Sequence, residues 1–403
     1  MEFTYCKLID VLNDIHSGGT PSTGESSYWG GQIKWLSSGE TSQRFISDTV
    51  DKITEEGVKN SSTKLAKKGN IVMACAGQGK TRGQTSYLID DMYINQSVIA
   101  LETNASVLPL YLFYDLSSRY EELRGGSDAS STRGSITTTA LKNLPFKYPD
   151  LSTQQSIVDI LFGYDSLIEA NNRRIELLEQ AAQELYKEWF VRFRFPGHEN
   201  TKFENGFPEG WERNKIQKYY RTCSGGTPSR SKPEYFENGI YPWVKTGEIK
   251  DCVIIDTEEY ITKEAVNSSS AKVLPAKSVA MAMYGVNIGL LAYFDSEMTC
   301  NQACCVFSDK RSFSSKHYLY HYLKSIREYL LLISFGAAQQ NLSQDLIKKI
   351  KITMPSDDVV QAFEKQIDDI YDNIKMLLRK NKNLAAQRDM LLPRLMSGKL
   401  EVN

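Results

Sequence analysis

A duplication constrains this chain more than any other feature of its sequence. The hexapeptide SGGTPS occurs at residues 17–22 and again at residues 224–229. The flanking segments repeat in the same order: YWGGQIKWLSSGE resembles YFENGIYPWVKTGE, INQSVIAL resembles CNQACCVF, and LKNLPFKYPD resembles IKKIKITMPS. The offset stays between 206 and 208 throughout, which is typical of an internal repeat. The 403-residue chain is therefore predicted to be one unit built twice.

Each repeat combines a compact α/β part with a long helix. Short apolar runs such as GNIVMAC and KSVAMAM favour strands, and LPLYLFYDLSSRYEEL and KHYLYHYLKSIREYLLL favour helices. The segment FPGHENTKFENGFPEGW is rich in Gly and Pro and is predicted to link the repeats. The predicted divisions are domain 1 (1–150), a central helix (151–196), domain 2 (197–356) and a C-terminal helix (357–403).

The two helical segments carry the heptad pattern of a coiled coil. Seam positions spaced three and four residues apart, most of them apolar, continue for four heptads in both copies: Leu161, Tyr164, Ile168, Asn171, Ile175, Leu178, Ala182, Leu185 and Trp189, and then Ile367, Ile370, Ile374, Leu377, Asn381, Leu384, Arg388, Leu391 and Leu395. Residues 159–188 have a net charge of −4 and residues 365–394 a net charge of +3. Opposite charge beside the seams favours pairing of the two helices.

A pseudo-twofold relation between the repeats would make these helices antiparallel. Aligning their midpoints sets Ile175 level with Asn381 and Asn171 near Leu384, so both seam asparagines are expected near the centre. A buried seam Asn usually fixes register. The predicted fold class is α/β, with two pseudo-symmetric α/β domains separated by two long helices packed as an antiparallel coiled coil.

The segment IVMACAGQGKTRG, residues 71–83, resembles a phosphate-binding loop but departs from it in three ways. Ala74 stands where that loop requires its first glycine, and the following RGQTSYLIDDMYINQ lacks helical periodicity. The equivalent segment of the second repeat, VAMAMYGVNIGLLAYF, matches Gly77 with Gly285 but contains no GK(S/T). An ATP site is therefore disfavoured.

No constellation in the sequence favours catalysis or metal binding. His317 and His321 have helical spacing but lack the glutamate of an HExxH motif. Cys300, Cys304 and Cys305 lie in a strand-like run and are interpreted as a reduced core. There is no NPPY or DPPY tetrapeptide, no nuclease or helicase motif and no metal site in the pattern.

Composition places the chain among soluble, cytoplasmic proteins. There is no run of 18 apolar residues and no basic start followed by an apolar core, so neither a membrane span nor a secretory signal is expected. The net charge of −1 hides two local basic stretches, residues 59–82 and 133–148, which contain no acid. Such stretches can bind phosphate backbones, and the alternative is a solvated lysine-rich face.

Two polar loops favour nucleic acid. GGSDASSTRGSITTT follows the helical pattern of domain 1, and GAAQQNLSQD follows that of domain 2. Arg, Lys, Asn and Gln are the side chains that read base edges, and Gly loops let the backbone approach phosphates. A common frame with different loop residues is expected of one scaffold that reads two different half-sites. Two units related by a twofold axis can meet half-sites about one turn of DNA apart, roughly 10 bp.

These features together resemble a type I restriction–modification specificity subunit. The resemblance covers the whole chain and rests on the duplicated SGGTPS, on GFPEGW opening the second repeat, on LYKEWFVRFRFPG closing the first helix and on LLPRLMSGKL closing the second. The sequence begins domain 1 almost at its first residue, so an N-terminal extension is not expected.

The resemblance implies a non-catalytic subunit with two target-recognition domains, each reading half of a bipartite site in double-stranded DNA. The helices would set the gap between the half-sites and dock two adenine methyltransferase subunits, to which translocase–nuclease subunits join. S-adenosylmethionine is expected on the partner methyltransferase, and no cofactor on this chain. The alternative is a coiled-coil scaffold that assembles partners without reading DNA.

The candidate DNA contacts lie on loops at equivalent places in the two repeats. The alternative for each is a solvated or turn-stabilising residue, and the Gly-Gly-Thr-Pro turns could hold the frame of each domain instead of touching DNA. The candidates are Gly18, Gly19, Thr20, Gln78, Lys80, Arg82, Gln84 and Arg133 in domain 1, and Gly225, Gly226, Thr227, Tyr284, Asn287, Gln339, Gln340 and Asn341 in domain 2.

Overall fold

The chain folds into two compact units, each with its own hydrophobic core. Unit 1 comprises residues 1–167 and 384–403, and unit 2 comprises residues 168–383. The computed structural model describes residues 2–77, 79–128, 134–204, 206–334 and 341–402.

In its described residues, domain 1 is built from short strands and four short α-helices. Its elements are β1 (Thr4–Lys7), β2 (Leu12–Ser17), β3 (Trp29–Leu36), β4 (Phe45–Ile46), β5 (Asp51–Ile53), α1 (Glu55–Lys59), β6 (Lys64–Ala66), β7 (Ile71–Ala74), β8 (Thr85–Leu88), β9 (Met92–Ile94), β10 (Val98–Thr103), α2 (Pro109–Ser118), α3 (Tyr120–Asp128), α4 (Thr138–Lys142) and β11 (Pro145–Tyr148).

The first long helix and domain 2 follow. Their elements are α5 (Leu151–Tyr186), β12 (Phe203–Glu204), β13 (Phe207–Pro208), β14 (Glu212–Lys215), α6 (Ile216–Tyr219), β15 (Tyr220–Ser224), β16 (Tyr241–Val244), β17 (Cys252–Ile254), β18 (Tyr260–Ile261), α7 (Lys263–Asn267), β19 (Val279–Ala282), β20 (Leu291–Phe294), β21 (Thr299–Cys300), β22 (Cys304–Asp309), α8 (Lys316–Ser325), α9 (Arg327–Ser334), α10 (Gln344–Lys349) and β23 (Lys351–Met354). The second long helix, α11 (Asp357–Ser397), closes the chain.

The strand topology repeats, which confirms the duplication. The main sheet has the order β2-β10-β7-β8-β4 in domain 1 and β15-β22-β19-β20-β17 in domain 2. In both sheets only the last pair, β4 with β8 and β17 with β20, is parallel among the described strands. The pairs β1–β11 and β14–β23 join the two ends of each domain.

The short helices begin at equivalent hydroxyl caps. The side chain of Thr54 accepts a hydrogen bond from Gly57 N at the start of α1, and Thr262 does the same for Ala265 N at the start of α7. Such caps satisfy a backbone N–H that has no partner within the helix. Local sequence therefore sets the same turns in both copies.

The long helices pack antiparallel, as the sequence predicts. In unit 2, Asn171 Nδ2 donates to Asn381 Oδ1 at 2.7 Å, and Asn381 Nδ2 donates to Asn172 Oδ1 at 2.8 Å. Further along the same unit, the rings of Phe190 and Phe363 lie 4.7 Å apart. The predicted register was wrong by about one helical turn, since it placed Asn171 near Leu384. Midpoint alignment ignores that buried amides are most stable when they satisfy each other.

Charge pairing along the second helix differs from the prediction. Arg388 of α11 does reach α5, where it bonds Asp165 within unit 1. Within unit 2, however, Lys375 and Arg379 of α11 pair with Asp295 of domain 2, and Lys382 of α11 also pairs with a domain 2 carboxylate. The positive charge of α11 therefore serves contact with domain 2 as well as contact with α5.

In the described part of the chain, no helix has both the length and the apolar character needed to cross a membrane.

Candidate DNA interface

The segment that resembles a phosphate-binding loop is the tip of a β-hairpin. β7 and β8 pair antiparallel, and β19 and β20 pair antiparallel at the equivalent place in domain 2. Residues 85–88 form a strand where a nucleotide-binding loop would need a helix. The structure therefore confirms the prediction that a strand or loop, and not a helix, follows this segment. The loop joining each strand pair is called the hairpin tip, residues 75–84 and 283–290.

The hairpin tip of each domain adjoins a later segment of the chain, which follows α3 in domain 1 and α9 in domain 2. In domain 1, Ile136 N donates to Cys75 O at 2.9 Å, and in domain 2, Leu342 N donates to Met283 O at 2.8 Å. Tyr284 and Asn341 form a further antiparallel bridge. In domain 2 the fold thus brings together the candidates Tyr284 and Asn341, which lie 57 residues apart in the sequence.

The domain 1 candidates on this surface differ in exposure. The side chain of Lys80 is exposed, and its carbonyl oxygen accepts a hydrogen bond of 2.9 Å from the Tyr120 hydroxyl. Arg82 is buried, and its Nη1 donates to Gly134 O at 2.7 Å. Gln84 is half-buried. Arg82 is thus bonded within domain 1, whereas the side chain of Lys80 is exposed at the hairpin tip.

The domain 2 candidates divide in the same way. Tyr284 and Asn341 are exposed, and so is Val286, which precedes Asn287 in the hairpin tip. Asn287 is half-buried, and its Nδ2 donates to Thr246 O at 2.8 Å and to Ile249 O at 3.1 Å. Both amide hydrogens of Asn287 are therefore used within domain 2, and its side-chain oxygen is the group that it can offer a ligand.

The Gly-Gly-Thr-Pro turns pack against the backbone of their own domain. A β-carbon on Gly225 would overlap the carbonyl oxygen of Cys300, and one on Gly18 would overlap that of Ile94. Gly226 N donates to Cys300 O at 2.9 Å, and Gly19 N donates to Ile94 O at 3.1 Å. This close approach explains the glycines without DNA, in agreement with the frame-holding alternative.

Each turn is also fixed by a tryptophan. Trp35 Nε1 donates to Gly19 O at 3.2 Å, and Trp243 Nε1 donates to Gly226 O at 3.0 Å. Both tryptophans are buried, so each carbonyl finds a partner away from water. The two domains therefore have the same hydrogen bond between a buried tryptophan and the second glycine of the turn.

Two exposed glutamines were missed by the sequence reasoning. Thr20 Oγ1 donates to Gln96 Oε1 at 2.5 Å, and Thr227 Oγ1 donates to the side-chain oxygen of Gln302. The repeated Asn-Gln dipeptide was the available signal, because it keeps its place beside the turn in both copies. Thr20 and Thr227 thus bond a residue of their own domain, and their contact with DNA stays a prediction.

Four candidates lie outside the described residues, namely Gln78, Arg133, Gln339 and Gln340.

The histidines and cysteines considered as metal ligands have structural surroundings. His317 Nδ1 lies 3.0 Å from Glu364 Oε2, and His321 Nδ1 lies 3.0 Å from Gln183 Oε1. Burial lowers the pKa of both histidines, so both are held neutral. Within the described residues no group of His, Cys, Asp or Glu is arranged to hold a metal ion. Cys300, Cys304 and Cys305 are buried in domain 2 as free thiols.

Glu364 makes the stability of unit 2 dependent on pH. Burial raises its pKa to about 8, although Tyr318 N donates to Oε1 at 2.9 Å and Lys316 Nζ lies 3.9 Å from Oε2. A raised pKa means that the folded state holds the proton more tightly, so stability falls as pH rises through that value. His317 acts in the opposite sense, because its lowered pKa removes stability only as pH falls below about 6.5.

We therefore expect the free energy of unfolding to decrease between about pH 6.5 and pH 8, by at most about 1.4 kcal/mol per pH unit. Urea denaturation of wild type and Glu364→Gln at several pH values checks this. The glutamine variant should show a flatter dependence, and the exposed control Glu328→Gln should follow wild type. Equal slopes in all three proteins would contradict the role of Glu364.

Comparison with known proteins identifies the family to which the two repeats belong. A family model described as the type I restriction modification DNA specificity domain matches residues 2–180 and again residues 208–386. The chain belongs to this family. The two matches coincide with the two repeats, so each hairpin tip, with the segment bonded to it, lies in one specificity domain of a type I specificity subunit.

Curated relatives share this organisation over most of their length. The chain is 26% identical to the type I restriction enzyme MjaIX specificity subunit of Methanocaldococcus jannaschii, covering 98% of this chain and 93% of that one. It is 27% identical to the HindI specificity subunit of Haemophilus influenzae, covering 84% and 88%. A solved S subunit from M. genitalium has the same fold, with a TM-score of 0.56 at 14% identity over 98% of this chain and 96% of that one.

Proposed function

We propose that this specificity subunit reads a bipartite site in double-stranded DNA, with one half-site for each domain. The observation that carries the proposal is that one frame presents two different hairpin tips. The tip of domain 1 offers Lys80, and that of domain 2 offers Tyr284 beside Asn341. Cations bind phosphates and amides read base edges, so equivalent surfaces with different residues suit different half-sites.

The long helices are proposed to dock two adenine methyltransferase subunits. In that arrangement this chain supplies recognition, and S-adenosylmethionine is bound by the partner, which modifies the exocyclic amine of adenine. Translocase–nuclease subunits would join the same assembly, in the cytoplasm.

DNA binding with and without the methyltransferase subunit tests this function. We expect weak, sequence-independent binding by the specificity subunit alone and tight, site-specific binding after the methyltransferase is added. Fluorescence anisotropy with a cognate and a scrambled duplex measures both. Unchanged specificity after addition would contradict the assembly role.

The scaffold alternative predicts a different result in the same assay. A coiled-coil scaffold that does not read DNA would bind the methyltransferase, yet the assembled complex would not distinguish the cognate duplex from the scrambled one. The duplicated surface has no explanation under that alternative, because assembly through the helices does not require two different hairpin tips.

Lys80→Ala is expected to weaken binding to all duplexes about equally. An exposed cation at the hairpin tip suits a phosphate, and loss of one such contact lowers the slope of log affinity against log salt by about 1. Salt titrations of the assembled complex measure this slope. Lys7→Ala, an exposed lysine on β1 of the same domain, is the matched control and should leave the slope unchanged. An unchanged slope for Lys80→Ala would remove Lys80 from the interface.

A further inference from the structure

Unit 1 contains an open cavity that the DNA-reading surface does not use. Its volume is about 340 Å3, at the lower end of the range for pockets that hold a ligand group. It lies between domain 1 and the end of α11, and its walls are largely apolar. The lining residues used below are Asp115, Ser118, Arg119, Phe146, Lys147 and Met396.

The polar groups of this cavity are mostly committed to each other. Arg119 donates to Glu122 through Nε and Nη2, both at 2.7 Å, and to Pro145 O through Nη1 at 2.8 Å. Asp115 is buried, and its Oδ2 accepts no hydrogen bond from the described residues, although Arg119 Nη1 lies 3.5 Å away. Lys147 Nζ donates to Ser397 O at 3.2 Å. Two cations and one carboxylate thus border an apolar space.

The equivalent place in unit 2 is filled by aromatic rings. Tyr186 of α5 stacks on His321 with ring centroids 5.7 Å apart, and Phe190 lies 4.7 Å from Tyr318. The offset of 206 residues equates Tyr186 with Leu392, Phe190 with Met396 and His321 with Asp115. The second copy therefore has two rings where the first copy has Leu392, which is buried in the core of unit 1, and Met396, which lines the cavity.

We propose that the cavity of unit 1 receives a tyrosine side chain from the methyltransferase subunit. This inference rests on the proposed function, which places that subunit on the helices. The ring would take the place that Tyr186 has in unit 2, against Phe146 and Met396. Its hydroxyl would lie at the polar border, where Oδ2 of Asp115 accepts no hydrogen bond from the described residues. Asp115 is the counterpart of His321, on which Tyr186 stacks in unit 2.

The charges at the cavity favour this occupant over a basic one. A lysine or arginine from a partner would lie beside Arg119 and Lys147, and the buried carboxylate is already close to Arg119. Like charges at this distance repel, whereas cations attract the face of an aromatic ring. Phenylalanine would leave Oδ2 of Asp115 without a donor, which is costly in a buried contact.

A variant that refills the cavity tests the inference. Leu392→Tyr with Met396→Phe copies the aromatic pair of unit 2 into unit 1 of the full chain. We expect a melting temperature equal to or above that of wild type, together with an affinity for one of the two methyltransferase subunits that is at least tenfold weaker. Calorimetric titration measures the affinity, and the exposed Val50→Phe is the matched control. Raised stability with unchanged assembly would make the cavity a packing defect and overturn the inference.

A small-molecule probe tests the cavity without the partner. p-Cresol, which has the side chain of tyrosine, should shift amide resonances at the cavity of the isolated wild-type subunit and should compete with the methyltransferase. Toluene and n-butylamine should bind more weakly. Absence of p-cresol binding, or equal binding to the refilled variant, would overturn the inference. Failure of wild type to bind the methyltransferase would instead count against the proposed function.

Discussion

Gly225→Ala is expected to unfold domain 2 or to lower its free energy of unfolding by more than about 4 kcal/mol. The added β-carbon would overlap the carbonyl oxygen of Cys300, which is backbone and cannot rotate away. The turn also cannot shift freely, since Gly226 N donates to that oxygen at 2.9 Å and Trp243 holds Gly226 O at 3.0 Å. Urea denaturation, with hydrogen exchange of β16 and β21 as a local readout, measures the loss.

Gly247→Ala is the matched control for this change. A β-carbon there meets no atom within 4 Å, so its effect should stay within about 0.5 kcal/mol. Gly18→Ala should repeat the large loss in domain 1, because Gly18 meets the carbonyl oxygen of Ile94 in the same way. Similar stability of Gly225→Ala and Gly247→Ala would contradict the packing role of the turn.

Asp165→Ala is expected to lower the free energy of unfolding of unit 1 by about 3–5 kcal/mol. Asp165 is almost fully buried on α5 and accepts hydrogen bonds from Arg44 Nε at 3.2 Å, from the Tyr114 hydroxyl at 2.7 Å and from Arg388 of α11. Its removal leaves the buried guanidinium of Arg388 without that carboxylate, which is the costly way to break such a cluster.

Thermal and urea unfolding check the role of Asp165. Asp159→Ala, an exposed carboxylate on the same helix, is the control and should change stability by less than about 0.5 kcal/mol. The double variant Asp165→Leu with Arg388→Met should lose less stability than Asp165→Ala. The double variant removes the charge of Arg388 together with its partner, whereas Asp165→Ala leaves that charge buried without the carboxylate. Equal losses for Asp165→Ala and the control would show that the cluster contributes no stability.

The overall organisation could be predicted because it depends on local sequence patterns, and because the chain contains each pattern twice. The collinear segments predicted two α/β domains, and the heptads predicted the antiparallel helices α5 and α11. Comparing the two copies also distinguished the hairpin tip from a nucleotide-binding loop, since an essential motif is not expected in one copy alone. Periodicity reports on the elements, and the repeat reports on their arrangement.

The details of the candidate site depend on contacts between distant segments, which local patterns do not encode. Arg82 is a charged residue in a Gly-rich loop and would be expected to be exposed. It is buried instead, and it donates a hydrogen bond to the carbonyl oxygen of Gly134, 52 residues away. Similarly, the side-chain amide of Asn287 donates its hydrogens to the carbonyl oxygens of Thr246 and Ile249. The helix register followed from the mutual hydrogen bonds of buried asparagines and not from the lengths of the helices.

Genome-wide mapping of methylated adenine tests the central claim most directly. The strains to compare carry the wild-type subunit, no subunit, or the double variant Tyr284→Ala with Asn341→Ala. These two residues lie in the hairpin tip of domain 2 and in the segment that pairs with it. We predict one bipartite methylated motif in wild type, loss of that motif without the subunit, and a motif relaxed in one half only in the double variant. Persistence of the motif without the subunit, or relaxation of both halves together, would contradict the account.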